Sequence, residues 1–147
     1  MDSLKIKTSI QIAKPASEVF EAIVNPEQMS NYFISHGSGR MEEGANLIWH
    51  FPEFDGDAPV RVGKVIKDEL VSYYWDIAGR EMHVEMNLEA KGNSTVVIVT
   101  EGTMPNDEEG IKWLAGNTEG WANFLACLKA WLEYKINLRK GAFDYRF

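Results

Sequence analysis

Hydrophobic and polar positions recur with two different periods along this chain, and each change of period marks a change of element. Between Lys5 and Ile12, Ile6, Thr8, Ile10 and Ile12 share one side while Lys5, Lys7, Ser9 and Gln11 share the other, which predicts a half-buried strand. Pro15 then opens a helix with Val19, Phe20 and Ile23 on one face, because a first-turn proline lacks only an N–H that has no helical partner. Asn25-Pro26 breaks it. Pro26 to Phe33 predicts a second short helix presenting Met29, Tyr32 and Phe33, ended by a turn at His36-Gly37-Ser38-Gly39. From Arg40 as far as Thr100 the period is two: Ala45, Leu47, Trp49 and Phe51 alternate with Asn46, Ile48 and His50. An acidic turn from Pro52 to Pro59 follows, and Val60, Val62 and residues 64–70 resume the pattern. Val71, Tyr73, Trp75 and Ile77 form the next apolar set, and Met82, Val84, Met86 and Leu88 the one after. Residues 95–100 are the most β-prone run.

The last third shifts to the helical period. Asn106 followed by Glu109 fits a helix-starting cap and predicts a helix over 106–140. Leu114, Asn117, Trp121, Leu125, Leu128 and Leu132 fall in one stripe, with Trp113, Phe124 and Trp131 on its flank and Glu119, Asn123, Glu133 and Asn137 opposite. Such a helix spans roughly 50 Å at about 1.5 Å per residue, so it needs a broad apolar surface beneath it. The meander of short strands supplies that surface. The expected architecture is α+β: a strand, two short helices, six further strands and a long helix, in a single domain over 1–147.

Composition adjusts this picture only in part. The 147 residues are 45% hydrophobic, enough for one sizeable core. A net charge of −7 with no basic cluster argues against nucleic acid as a partner. Met1-Asp2-Ser3-Leu4-Lys5 has no apolar signal core, and no run approaches the ~20 apolar residues a bilayer crossing needs, so a cytoplasmic location without membrane insertion is expected. Cys127, the single cysteine, can form no internal disulfide, and the glycosylation pattern Asn93-Ser94-Thr95 has no role without secretion.

Candidate chemistry is sparse. His50 and His83 are expected to face solvent and His36 to lie near any cavity mouth; none is spaced with a second ligand as a metal site requires, so neither metal nor cofactor is expected. Cys127 reads as a buried, inert thiol. The acids Glu42-Glu43, Glu53-Asp55-Asp57 and Asp107-Glu108-Glu109 read as solvated turns and a helix start. No nucleophile elbow, phosphate loop or carboxylate pair is present, and no catalytic residue is assigned. The informative residues are apolar: Met29, Tyr32, Phe33, Trp49, Phe51, Tyr73, Trp75, Met82, Met86, Trp113, Trp121, Phe124, Leu125 and Leu128, with Asn117 among them, are expected to line a cavity between sheet and helix. Each of them could instead simply fill the core. As a set they favour a cavity, since five tryptophans are awkward to pack without gaps and each buried indole N–H needs a partner. Asn117, inside the apolar stripe, must hydrogen-bond to the sheet or to a ligand, the sheet being preferred.

The segment Ile10-Gln11-Ile12-Ala13-Lys14-Pro15-Ala16-Ser17-Glu18-Val19-Phe20-Glu21-Ala22-Ile23-Val24-Asn25-Pro26 resembles the strand–helix start of the START-like (SRPBCC, Bet v 1-like) superfamily. Residues 120–133 resemble the final helix of its branch related to the activator of heat-shock protein 90 ATPase, and Gly63-Lys64-Val65-Ile66 with Val71-Ser72-Tyr73-Tyr74-Trp75 is similar to that branch's central hairpin. The resemblance implies a helix-grip fold, a curved antiparallel sheet wrapped around the C-terminal helix, with an apolar cavity that the two short helices open or close. Three functions follow as expectations: non-catalytic binding of a small hydrophobic ligand such as a lipid or aromatic metabolite; a co-chaperone domain binding a heat-shock protein 90 ATPase; or a cyclase- or dehydratase-like enzyme, for which Tyr32, His36, Tyr73 and Asn117 are the acid–base candidates. Monomer and homodimer are both open, the aromatic end 143–147 packing on its own sheet or on a partner.

Overall fold

The computed structural model describes residues 3–146; Met1, Asp2 and Phe147, the last belonging to the aromatic C-terminal end, lie outside the described residues. Seven strands, β1 (Ser3–Ile12), β2 (His36–Gly37), β3 (Asn46–His50), β4 (Ala58–Ile66), β5 (Leu70–Ile77), β6 (Arg80–Lys91) and β7 (Ser94–Pro105), accompany the helices α1 (Ala16–Val24), α2 (Pro26–Met29) and α3 (Glu108–Tyr134). The sheet runs β1-β7-β6-β5-β4-β3-β2, every neighbouring pair antiparallel. After β1 the chain crosses by α1 and α2 to the far edge, then walks back strand by strand until β7 pairs with β1. The turns are tight: at Ala78-Gly79, between β5 and β6, both residues have positive φ (52° and 79°), the combination that matches hairpin twist. This is the helix-grip, α+β architecture the sequence implied.

One face of the sheet is largely apolar, with Ile6, Ile12, Leu47, Trp49, Val60, Val62, Val71, Tyr73, Met82, Val84, Met86, Leu88, Val97 and Val99 all buried. Helix α3 lies across it. Trp121, Phe124, Leu125, Cys127, Leu128 and Leu132 are buried in its second half, whereas no residue between Leu114 and Gly120 is. The segment Leu114-Ala115-Gly116-Asn117-Thr118-Glu119-Gly120 is too small and polar to fill the space beneath it, and the helix stands off the β3–β5 end of the sheet. Cys127 is buried, and desolvation pushes its thiol pKa up, which suits an inert thiol.

Several local expectations are corrected. The cap of α3 is Asp107, not Asn106: its side chain accepts the Gly110 N–H at 2.8 Å. The helix ends at Tyr134, not Lys140, because Lys135 takes the left-handed conformation and turns its N–H back to the carbonyls of Ala130 and Trp131. The second helix is a single turn ending at Met29; the Tyr32 hydroxyl, donating to the Ala22 carbonyl at 2.8 Å, folds the following turns onto α1. His36-Gly37 is not a turn but a short edge strand opposite His50 and Trp49. Gly37 permits that approach, since a Cβ there would sit 2.9 Å from Ile34 Cδ1. In the C-terminal segment, Phe143 is half-buried and lies under the guanidinium groups of Arg139 and Arg146, while Tyr145 stays exposed.

Two glycines of α3 predict opposite outcomes. At Gly110 a Cβ would fall 1.8 Å from the Pro105 carbonyl oxygen, so Gly110→Ala is expected to lose about 2–3 kcal/mol in urea unfolding. At Gly120 nothing lies within 4 Å of a Cβ, so Gly120→Ala is expected to gain up to about 1 kcal/mol in the same assay from helix propensity.

Glu133 fastens the end of α3 to the end of β1 by accepting the Ala13 N–H at 2.7 Å and pairing with Lys129. These two partners, the Ala13 N–H first, hold its pKa below the usual 4.5. A depressed carboxylate stabilises above its unfolded pKa, so this contribution is complete at neutral pH and is lost as pH falls below about 4.5 through the lower folded value. Glu133→Gln is therefore expected to lower the melting temperature at pH 7 and to flatten its acid limb.

Candidate functional site

Where α3 stands off the sheet, a cleft of about 960 Å³ opens. It is lined from β3, β4 and β5, from the loop carrying Phe51, Phe54 and Asp57, and from Asn117, Gly120 and Trp121 on α3, with Phe33 and Arg139 at its border. It continues around the end of the sheet, so outward-facing Asn46, Ile48, Arg61, Tyr74 and Asp76 also border it. The covered part is aromatic. Phe33, Phe51, Trp75 and Trp121 form a closed circuit of ring contacts, with centroid separations of 5.2 Å (Phe33–Phe51), 6.4 Å (Phe51–Trp75), 6.0 Å (Trp75–Trp121) and 6.2 Å (Phe33–Trp121).

Behind this circuit lies a polar centre. Glu101 continues the buried face of β7 after Val97 and Val99, and its accessibility is 0%. Its Oε2 accepts the Trp75 Nε1–H at 2.8 Å, and its Oε1 accepts the Trp121 Nε1–H at 3.0 Å and an Asn117 Nδ2–H at 3.1 Å. No cation is among these partners. Three N–H groups aimed at one buried carboxyl offset the large cost of taking it out of water, each charge-assisted bond contributing on the order of 1.5–3 kcal/mol. They also fix what the cleft presents. Both indoles are pinned by their N–H edges, and Asn117 spends one Nδ2–H on Glu101, which leaves its carbonyl Oδ1 and its second Nδ2–H.

Nearby, Tyr73 is fully buried and its hydroxyl has no hydrogen-bond partner among the described residues; burial, then the negative charge of Glu101, pushes its pKa well above the ordinary tyrosine value. The Trp49 and Trp113 indole N–H groups are likewise buried without a hydrogen-bond partner among the described residues. At the cleft border Arg139 makes two hydrogen bonds to Glu53, at 2.9 and 2.8 Å, with the Glu53 side chain only 6% exposed. The Arg139 guanidinium also lies 5.6 Å from the Phe33 ring and 5.8 Å from that of Phe51.

Of the fifteen residues named from the sequence, Phe33, Phe51, Trp75, Asn117 and Trp121 meet at the cleft. The other ten, Met29, Tyr32, Trp49, Tyr73, Met82, Met86, Trp113, Phe124, Leu125 and Leu128, pack in the core and do not border it. Asn117 bonds to the sheet and borders the cleft at once. His36 is exposed on β2, its ring 6.0 Å from that of His50; His50 is half-exposed and pairs with Asp57 at 2.9 Å; and His83 stacks on Tyr74 at 4.5 Å instead of facing solvent freely. Among the described residues no group of three His, Cys, Asp or Glu side chains could hold a metal, and no helix is long and apolar enough to cross a membrane. Sequence reasoning missed Glu101. Its signal was phase: it extends the Val97, Val99 alternation by one step, past the point where the strand was expected to end.

The donor set predicts the effect of removing the charge. In Glu101→Gln one amide N–H must face an indole N–H, leaving a buried donor unpaired, and a loss of about 2–4 kcal/mol is expected in urea unfolding, with a change in tryptophan emission.

Comparison with known proteins agrees with this geometry at the level of fold. The protein SSP2350 of Staphylococcus saprophyticus superposes with a TM-score of 0.81 at 29% identity over 92% of this chain and 96% of that one. The Aha1 dimer of Colwellia psychrerythraea gives 0.76 at 22% identity over 89% and 97%. DynU16, from the dynemicin biosynthetic locus, gives 0.81 at 22% identity over 90% of this chain but 48% of its own. No curated protein sequence matches significantly. The family model described as "Activator of Hsp90 ATPase homolog 1-like protein" matches residues 13–133. With nearly its whole length matched, from the loop after β1 to the end of α3, the chain belongs to the Activator of Hsp90 ATPase homolog 1-like family.

Proposed function

We propose that this protein binds a small, largely apolar molecule, without transforming it, in the cleft between α3 and strands β3–β5. The observation that carries this reading is the contacting rings of Phe33, Phe51, Trp75 and Trp121, which form the aromatic wall of a cleft of about 960 Å³, within the range of small-molecule sites. Binding is favoured over catalysis by where the acid–base candidates lie: of Tyr32, His36, Tyr73 and Asn117, only Asn117 borders the cleft. Glu101 is sealed behind two indoles, out of reach of a bound molecule's protons.

A protein partner is the second reading. The family's description and the Aha1 dimer bring it to mind, and Tyr134, Ile136, Leu138 and Tyr145, all exposed in and after the last turn of α3, are the surface that favours it. Stimulation of a heat-shock protein 90 ATPase by the purified chain, abolished by Ile136→Asp, would support this second reading.

For the first reading, native mass spectrometry of gently purified protein is expected to show a discrete adduct that solvent extraction releases. Gly120→Leu places a side chain into open space at the cleft without touching the core, and is expected to retain the fold and lose the adduct. An unliganded mass for the wild-type protein, with no melting shift across a panel of lipids and aromatics, would overturn the proposal.

A further inference from the structure

Resting on the binding function proposed above, we infer that the cleft selects an organic ammonium ion carrying an apolar body. The hydrogen bonds behind the cleft, the ion pairs at its border and the charge of the whole chain all give it the same polarity.

The floor comes first. Trp75 and Trp121 both donate their indole N–H to Glu101, at 2.8 and 3.0 Å. Donation to an anion draws electron density toward the donor's ring and makes its face a better seat for a cation, in the sense of a cation–π contact strengthened by polarisation. The carboxyl itself is fully buried, and its hydrogen-bond partners among the described residues are all neutral donors. Asn117 adds the second element. Because a carboxylate only accepts hydrogen bonds, the amide must turn its NH₂ toward Glu101, and its Oδ1 makes no hydrogen bond to another described residue. Its Oδ1 is the acceptor this side chain offers, and a ligand N–H would pair with it.

The border has the same sign. Two guanidinium groups line the cleft, and both are already engaged: Arg61 with Glu81 at 3.1 Å, and Arg139 with both oxygens of Glu53. An anionic ligand at Arg139 would therefore have to break a nearly buried pair, whereas the Arg61–Glu81 pair is half exposed. Asp76 also lines the cleft and makes no ion pair among the described residues. Arg139 shows the chemistry in miniature, a cation resting against the Phe33 and Phe51 rings at one side of the cleft. The net charge of −7 steers cations toward the chain as a whole.

The test compares three probes with one body: 1-naphthylmethylammonium, 1-naphthylmethanol and 1-naphthoate, titrated into the full chain by calorimetry and tryptophan fluorescence. The ammonium ion is expected to bind at least about tenfold tighter than the alcohol, with naphthoate weakest. Raising the salt concentration is expected to weaken the ammonium ion by about threefold and leave the alcohol unchanged. In Asn117→Leu, checked for folding by circular dichroism, the preference for the ammonium over the alcohol is expected to narrow by about fivefold. Should that variant fail to fold, the wild-type ranking and its salt dependence decide the matter alone. Equal affinity for ammonium and alcohol, or tightest binding of naphthoate, overturns the charge selectivity and leaves the cleft as a binding site. Binding of none of the three overturns both.

Discussion

A carboxyl group inside an apolar interior is tolerable only where donors surround it, and in this protein that requirement ties three elements together. Glu101 sits on β7, Trp75 on the neighbouring face of β5, and Asn117 and Trp121 one turn apart on α3. The hydrogen bonds fix the rotation of α3 about its axis and its position along the sheet more tightly than the apolar contacts of its second half, which tolerate repacking. They also hold both indoles edge-on to the carboxyl, so that their faces are presented elsewhere. The cleft's floor is thus a consequence of satisfying one buried acid.

The cleft itself follows from a change of residue size along α3. From Trp121 to Leu132 large side chains fill the space above β1, β6 and β7, and the helix lies close. From Ala115 to Gly120 the side chains are short or polar, and a gap remains above β3–β5. After Lys135 reverses the chain, the C-terminal segment brings Arg139 to the edge of that gap and pairs it with Glu53 from the loop between β3 and β4. A pair with side chains 16% and 6% exposed contributes more to positioning than its solvated counterparts, because it is screened less. The likeness to SSP2350 and to the Aha1 dimer extends to the scaffold.

The chain's alternating and helical periods determined the order and type of the longer elements, because each must bury one face and its sequence records which one. That is why β1, the meander, α1 and α3 were all legible, and why Phe33, Phe51, Trp75, Asn117 and Trp121 could be named before their positions were known. Element ends were less so. Whether Asn106 or Asp107 caps α3 depends on where Pro105 releases the chain from β7, and the left-handed turn at Lys135 carries neither the glycine nor the proline that marks such a stop. Only the tertiary structure decided which aromatics line the cleft and which fill the core, since Trp49 and Trp75 share one strand face pattern and differ in what α3 places above them. It alone decided the place of Glu101. An acid in phase with valines reads as a strand end until two tryptophans and an asparagine, 16 to 26 residues away along the chain, are brought within hydrogen-bonding distance of it.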